Sequence, residues 1–173
     1  VMYELGILLS SNIALGVFQP KEALLCHDSG RHLIHGVMEI PVFSYQDSNF
    51  AGSTHKKSFQ ITSCSWPEMK HLLWKASKTG IENIVILTHP FEYIKKSDFQ
   101  YTRLTRNRVN QRRLQKLCEF IQQHSQDFVA ADFSSQHDAW VKSELNQNSI
   151  EISSVYAVGR KLHNKLNDLI WRY

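Results

Sequence analysis

The strongest constraint on the fold is an amphipathic helix that is followed closely by a short apolar segment. Ser65 and Glu68 form a capping box with Pro67 in the first turn, and Gly80 marks the end of the helix. Residues 83–88 then form a continuous apolar run, which is typical of a strand buried on both faces of a parallel sheet. The helical spacing is carried by Met69, Leu72, Leu73 and Ala76.

The rest of the chain repeats this alternation of helix and strand. Short apolar segments at 128–131 and 150–158 predict strands, and two further apolar stripes predict helices. Such alternation predicts an α/β fold with mostly parallel strands, and 173 residues are enough for one domain. The stripes are formed by Leu114, Leu117, Cys118 and Ile121, and by Leu162, Leu166, Leu169 and Ile170.

The first third of the chain is less regular. Residues 22–27 and 31–35 flank a turn-forming segment and predict a hairpin. Residues 37–43 predict a strand, and the polar residues 44–60 predict a long loop.

His89 is the leading candidate for a catalytic group. It follows the apolar run at 83–88, and Pro90 ends the strand there and favours extended backbone at His89. Ligands and catalytic groups collect at the carboxyl ends of parallel strands, and imidazole exchanges protons near neutral pH. A general acid or base is therefore one interpretation, and a histidine that only caps the strand end is the other.

Two further groups of residues carry weaker signals. Strand alternation favours a solvent-facing Glu39, with a role at a site as the alternative. His27, His32 and His35 are candidate metal ligands, although a strand would place His32 and His35 on opposite faces.

A basic segment lies between residues 103 and 116. It contains six basic residues and no acidic one, whereas the remainder of the chain has more acidic than basic residues. It is either a surface for phosphates or nucleic acid, or the solvated face of the second helix, and the lack of interleaved aromatic residues favours the solvated face. The basic residues are Arg103, Arg106, Arg108, Arg112, Arg113 and Lys116.

Composition excludes several classes of protein. Three scattered cysteines do not form a disulfide framework and slightly favour the cytoplasm. No run of 18 apolar residues predicts a membrane span, and the opening residues lack the basic region of a signal peptide.

Several motifs in order resemble the NodB-type polysaccharide deacetylases, carbohydrate esterase family 4. They are Glu39-Ile40-Pro41-Val42, Leu87-Thr88-His89-Pro90-Phe91-Glu92 and Leu114-Gln115-Lys116-Leu117, together with the opening Glu4-Leu5-Gly6-Ile7. The resemblance covers most of the chain up to about residue 130. It implies an irregular seven-stranded (β/α) barrel that removes acetyl groups from N-acetylated polysaccharides with a divalent metal such as zinc.

The resemblance also implies roles for individual residues. His89 matches the histidine that serves as general acid, and Glu39, Phe91 and Glu92 are expected to support or line the substrate site. The family's Asp-Asp pair and its His-x-x-x-His metal ligands have no counterpart in this sequence. We therefore expect residues 1–173 to be a single partial domain, the later part of such a barrel, inactive alone and lacking the metal ligands. The alternative is a non-enzymatic polyanion-binding module that uses residues 103–116.

Overall fold

The structure, a computed structural model, combines four α-helices with small β-sheets over the residues that it describes. These are residues 1–48, 54–96, 98, 100–147 and 149–170, with side chains up to residue 166. The strands are β1 (Leu9–Ser10), β2 (His32–Ile34), β3 (Val37–Glu39), β4 (Ser44–Ser48), β5 (Thr54–Ser58), β6 (Ile94–Lys96), β7 (Leu104–Arg106) and β8 (Ile150–Ile152). The helices are α1 (Trp66–Lys78), α2 (Arg108–Gln123), α3 (Phe133–Trp140) and α4 (Ser154–Ile170).

The predicted barrel of mostly parallel strands is wrong. The described strands form three small sheets in the orders β1-β3-β2, β5-β4-β8 and β6-β7. The β1–β3 and β4–β8 pairs are parallel, whereas β2–β3, β4–β5 and β6–β7 are antiparallel. Short connections account for the difference, because a tight turn permits antiparallel pairing and a parallel pair needs a long crossover. The described residues form a mixed α/β fold and no barrel.

The hairpins lie elsewhere than the sequence predicts. The first is β2–β3, which turns at His35 and Gly36 with φ angles of 49° and 83°. Two positive φ angles in a two-residue loop suit the right-handed twist of a hairpin. The second is β4–β5, within the segment predicted to be a loop, and its residues 49–53 lie outside the described residues.

The two helices with the clearest sequence signals are confirmed. At the start of α1 the Ser65 hydroxyl accepts from the Glu68 amide at 3.4 Å, and the Ser65 amide donates to the Glu68 carboxylate at 3.1 Å. Leu117 and Phe120 on α2 are buried against this helix. Among the weaker predictions, residues 128–131 form no strand, and the predicted strand at 150–158 ends at Ile152, after which α4 begins.

The predicted strand at 83–88 is an extended segment held by two isolated parallel bridges. Val85 pairs with Val42, and Leu87 pairs with Gln60. The Phe43 amide donates to the Val85 carbonyl, and the Leu87 amide donates to the Phe59 carbonyl, both at 2.9 Å. The segment is half-buried rather than covered on both faces, and its carboxyl end leads directly to His89.

A buried ionic cluster joins three distant parts of the chain. Arg160 on α4 donates to Asp47 on β4 and to Glu68 on α1, and both carboxylates are fully buried. Glu68 also accepts from the Tyr45 hydroxyl at 2.7 Å and from Lys57 at 3.2 Å. Burial opposes the charge on Arg160, but the carboxylates of Glu68 and Asp47 outweigh it and raise the pKa of Arg160. We call these five residues the buried ionic cluster.

We expect Arg160→Met to destabilise the fold by about 3–5 kcal/mol, because two carboxylates would stay buried without their shared cation. Lys161→Met, at the exposed neighbouring position, is the control and should change stability by less than about 0.5 kcal/mol. Urea unfolding measures both. Adding Asp47→Asn and Glu68→Gln to Arg160→Met should recover part of the lost stability. Equal stability of the Arg160→Met and Lys161→Met variants would contradict the expectation.

Candidate functional site

His89 lies at the junction of the extended segment and a 3₁₀ turn, Pro90–Tyr93. Its backbone is extended, with φ −130° and ψ 139°, as Pro90 predicts. The expected geometry at this residue is confirmed, although the strand before it is shorter than predicted.

Glu92 holds His89 in place. The carboxylate Oε2 of Glu92 accepts from the His89 amide at 3.0 Å, and Oε1 accepts from the side-chain amide of Gln60. The same Oε1 lies 3.5 Å from Nδ1 of the His89 ring, which is an ion-pair distance when the ring is protonated. One carboxylate thus fixes the backbone of the histidine and lies beside its ring.

The two edges of the His89 ring have different environments. Nδ1 is buried and has no hydrogen-bond partner among the described residues, whereas the side chain as a whole is 42% exposed. The exposure therefore lies on the rest of the ring. An imidazole with a carboxylate on one edge and solvent on the other suits proton exchange with a bound molecule.

Phe91 lies beside the exposed part of the His89 ring. Its side chain is among the exposed large apolar groups, at 64%, and its ring stacks on the His89 ring with centroids 5.1 Å apart and an angle of 24°. Phe91 and Glu92 also line a cavity of about 350 Å³ together with Tyr101 and Asn110, and the described wall of this cavity does not include His89. An exposed aromatic ring stacked on the imidazole leaves apolar surface on which a sugar ring can lie.

The amino end of α2 is hydrogen-bonded to the 3₁₀ turn that follows His89. The side-chain amides of Asn107 and Asn110 donate to the Glu92 carbonyl at 3.2 and 2.9 Å. Sequence analysis missed these asparagines and Gln60, because their contacts with Glu92 span 15 to 32 residues of sequence. The Pro at the first position of the turn and the Glu at its third are a local signal for the His89–Glu92 contact.

Glu39 is buried, at 6% exposure, so the interpretation that it faces solvent is wrong. Its carboxylate accepts from the amides of Asn12 and Ile13 at 2.5 and 2.8 Å and from the Ser10 hydroxyl. It lines a different cavity, of about 440 Å³, whose wall among the described residues does not include His89, Phe91 or Glu92. Its role in binding substrate stays a prediction.

The three candidate metal ligands do not converge in the structure. His27 and His32 stack with centroids 3.5 Å apart, and Nε2 of His32 lies 2.7 Å from the Ser29 carbonyl. Burial and then the neighbouring His32 lower the pKa of His27. His35 is part of the wall of the Glu39 cavity. In stacked rings the nitrogen lone pairs lie in the ring planes and do not point to a common ion, and the described residues include no cluster of three or more His, Cys, Asp or Glu that could hold a metal.

The basic segment 103–116 does not form a uniform cationic face. Arg113 is only 3% exposed, and its guanidinium donates to the Thr62 carbonyl, to Asn164 at 2.7 Å and to Nδ1 of His163 at 2.8 Å. Arg113 therefore joins α2 to α4, whereas Arg112 is exposed. Polyanion binding by this segment stays a prediction. Arg113 is buried and is therefore not among the residues that would face a polyanion.

Comparison with known proteins adds no relative, because no protein-family model, curated protein or solved structure matches the chain. Across the described residues, the structure also contains no helix with the length and apolar character needed to cross a bilayer.

We expect the stability of the protein to fall as the pH is lowered below 6.5, in part through His163. Burial, then Arg113 and Lys116, lower the pKa of His163 below the ordinary value of 6.5. The unfolded ring therefore binds a proton more readily than the folded one, and protonation removes the acceptor that Arg113 uses. The contribution of His163 to the free energy of unfolding is complete above pH 6.5 and is lost as the pH falls through the lowered pKa of the folded state.

Urea unfolding at a series of pH values tests this expectation. His163→Gln should flatten the dependence, whereas His137→Gln, at a half-exposed histidine on α3, should not. His27 and His71 also have lowered pKa values, so some slope should persist in His163→Gln. A slope identical to that of the unchanged protein would count against the Arg113–His163 contact.

Proposed function

We propose that the protein carries a proton-transfer site of the polysaccharide deacetylase type that acts on an N-acetylated glycan, with His89 as general acid. The observation that carries the proposal is the arrangement of His89 and Glu92. Nδ1 of the ring is buried 3.5 Å from the carboxylate, while the remainder of the ring is partly exposed beside Phe91.

The chemistry of amide hydrolysis requires such a group. Water adds to the acetyl carbonyl, and the carbon–nitrogen bond then breaks to leave acetate and a sugar amine. An amine leaves only when its nitrogen gains a proton, which a protonated imidazole supplies from its exposed edge. The nearby carboxylate accepts from the His89 amide and lies beside Nδ1, and so keeps the orientation of the ring.

The neighbouring residues suit a glycan. Phe91 offers a flat apolar surface to the carbon face of a sugar ring next to the imidazole. Both carboxylate oxygens of Glu92 have partners within the protein, so we assign Glu92 a positioning role for His89. The resemblance implies a divalent metal, but the described residues offer no ligand set that fits one, and the proposal contains no step through a metal.

We expect His89→Gln to reduce acetate release from a chito-oligosaccharide by about 10²–10⁴-fold, the range typical for loss of a general acid. The measurement uses the natural full-length protein that contains this sequence. His137→Gln is the matched control, because His137 is a half-exposed histidine whose Nδ1 also lies beside a carboxylate, 3.1 Å from Asp138. Equal activity of the two variants would refute the role of His89.

A binding measurement tests the substrate class separately from the chemical step. Phe91→Ala should weaken binding of the chito-oligosaccharide by about tenfold, because an exposed aromatic ring is lost, and should change the turnover of bound substrate less. Binding is followed by calorimetry, and the fully deacetylated oligomer serves as the comparison ligand. Tighter binding of the deacetylated oligomer would argue against an N-acetylated substrate.

A further inference from the structure

A third cavity, of about 510 Å³, lies where α2, α4 and the amino end of α1 meet. Trp66, Val109 and Tyr156 form part of its apolar wall, and Arg112, Arg113 and Lys116 contribute cations. The described residues that line it include no Asp or Glu. The cavity is therefore apolar along part of its wall and positively charged along another.

Arg113, part of the cavity wall, has one side-chain donor without a partner among the described residues. Its two terminal nitrogens have acceptors in Thr62, Asn110, His163 and Asn164. Its Nε is buried and has no hydrogen-bond partner among the described residues. A buried donor without a partner is costly, so such donors are normally satisfied by protein, water or ligand.

The electrostatic environment agrees with the composition of the wall. Burial is the main cause of the lowered pKa of His163, and the charges of Arg113 and Lys116 lower it further. Neighbouring cations that disfavour one more positive charge favour an anion at the same place. Gly159 on α4 is also part of the wall, and a Cβ atom added there would meet nothing within 4 Å.

We propose that this cavity binds an amphipathic anion, a small molecule with a flat apolar or aromatic body and one phosphate or carboxylate group. The body lies against Trp66 and Tyr156, and the oxyanion pairs with Arg112 and Lys116, with the buried guanidinium of Arg113 adding positive charge behind them. This activity is separate from the proposed deacetylase site, since none of its residues lies in the 3₁₀ turn that carries His89. It also gives the basic segment a small-molecule ligand in place of a polyanion.

Calorimetric titration with four probes tests the proposal. Phenyl phosphate and benzoate carry both an aromatic body and an oxyanion, and comparing them identifies the preferred head group. Inorganic phosphate and benzyl alcohol each carry one half of the ligand. We expect one saturable site for phenyl phosphate or benzoate. Inorganic phosphate and benzyl alcohol should each bind at least about tenfold more weakly.

Two variants and a matched control locate the site. Arg112→Gln with Lys116→Gln should weaken binding by about tenfold or more, because two charge-assisted contacts are lost. Gly159→Phe should fill the cavity and block binding while it keeps the cations, and Phe favours a helix more than Gly does. Lys161→Gln with Lys165→Gln removes the same charge from exposed positions of α4 outside the cavity wall and should leave the affinity unchanged.

Several results would overturn the proposal. They are the absence of saturable binding below about 10 mM probe, an equal loss of affinity in the control pair, and unchanged binding by folded Gly159→Phe. If Gly159→Phe does not fold, unchanged binding by the double variant Arg112→Gln with Lys116→Gln is enough to overturn the proposal. Binding of an oligonucleotide of about 12 residues that is far tighter than phenyl phosphate and falls steeply with salt would replace it with a polyanion surface.

Discussion

The structure depends on one cation that two buried carboxylates share. Arg160 on α4 pairs with Asp47 on β4 and Glu68 on α1, and thereby joins α4 to the β5-β4-β8 sheet and to α1. Such a cluster is not in itself a large source of stability, because desolvation of the charges offsets most of their attraction. It does make other arrangements of these elements costly, since displacement of α4 would take Arg160 from both carboxylates and leave Glu68 with Lys57 as its remaining close cation.

Local signals predict the helices and the conformation at His89 well. The capping box of α1 and the extended backbone before Pro90 each depend on residues within a few positions. Both features can therefore be predicted from the local sequence alone. The burial of Glu39 could not be predicted in this way, because the amides that bind it lie 26 and 27 residues earlier. The apolar residues 128–131 have strand propensity but no partner strand, and they stay irregular.

The β4–β5 hairpin is the most instructive difference. Its residues are polar enough to predict a loop, yet Ser44 and Asp47 on β4 are fully buried. Asp47 is buried because Arg160 reaches it from α4, and β4 gains a parallel partner in β8 immediately before that helix. Hydrophobic periodicity assumes an apolar interior and therefore misses a strand whose buried face is partly ionic. The contact between His89 and Glu92 joins residues three positions apart and therefore has a local signal, whereas the contacts that bury Asp47 have none.

The cluster also bears on how the chain acquires its fold during synthesis. Arg160 is 92 residues beyond Glu68 and 113 beyond Asp47 in the sequence. On the ribosome, the amino-terminal part emerges long before the arginine that neutralises its buried acids. Until then Glu68 has Tyr45 and Lys57 as partners, whereas Asp47 lacks the guanidinium that pairs with it in the folded protein. Completion of the core thus requires α4, and contacts between residues so distant in sequence are of the kind that slows folding.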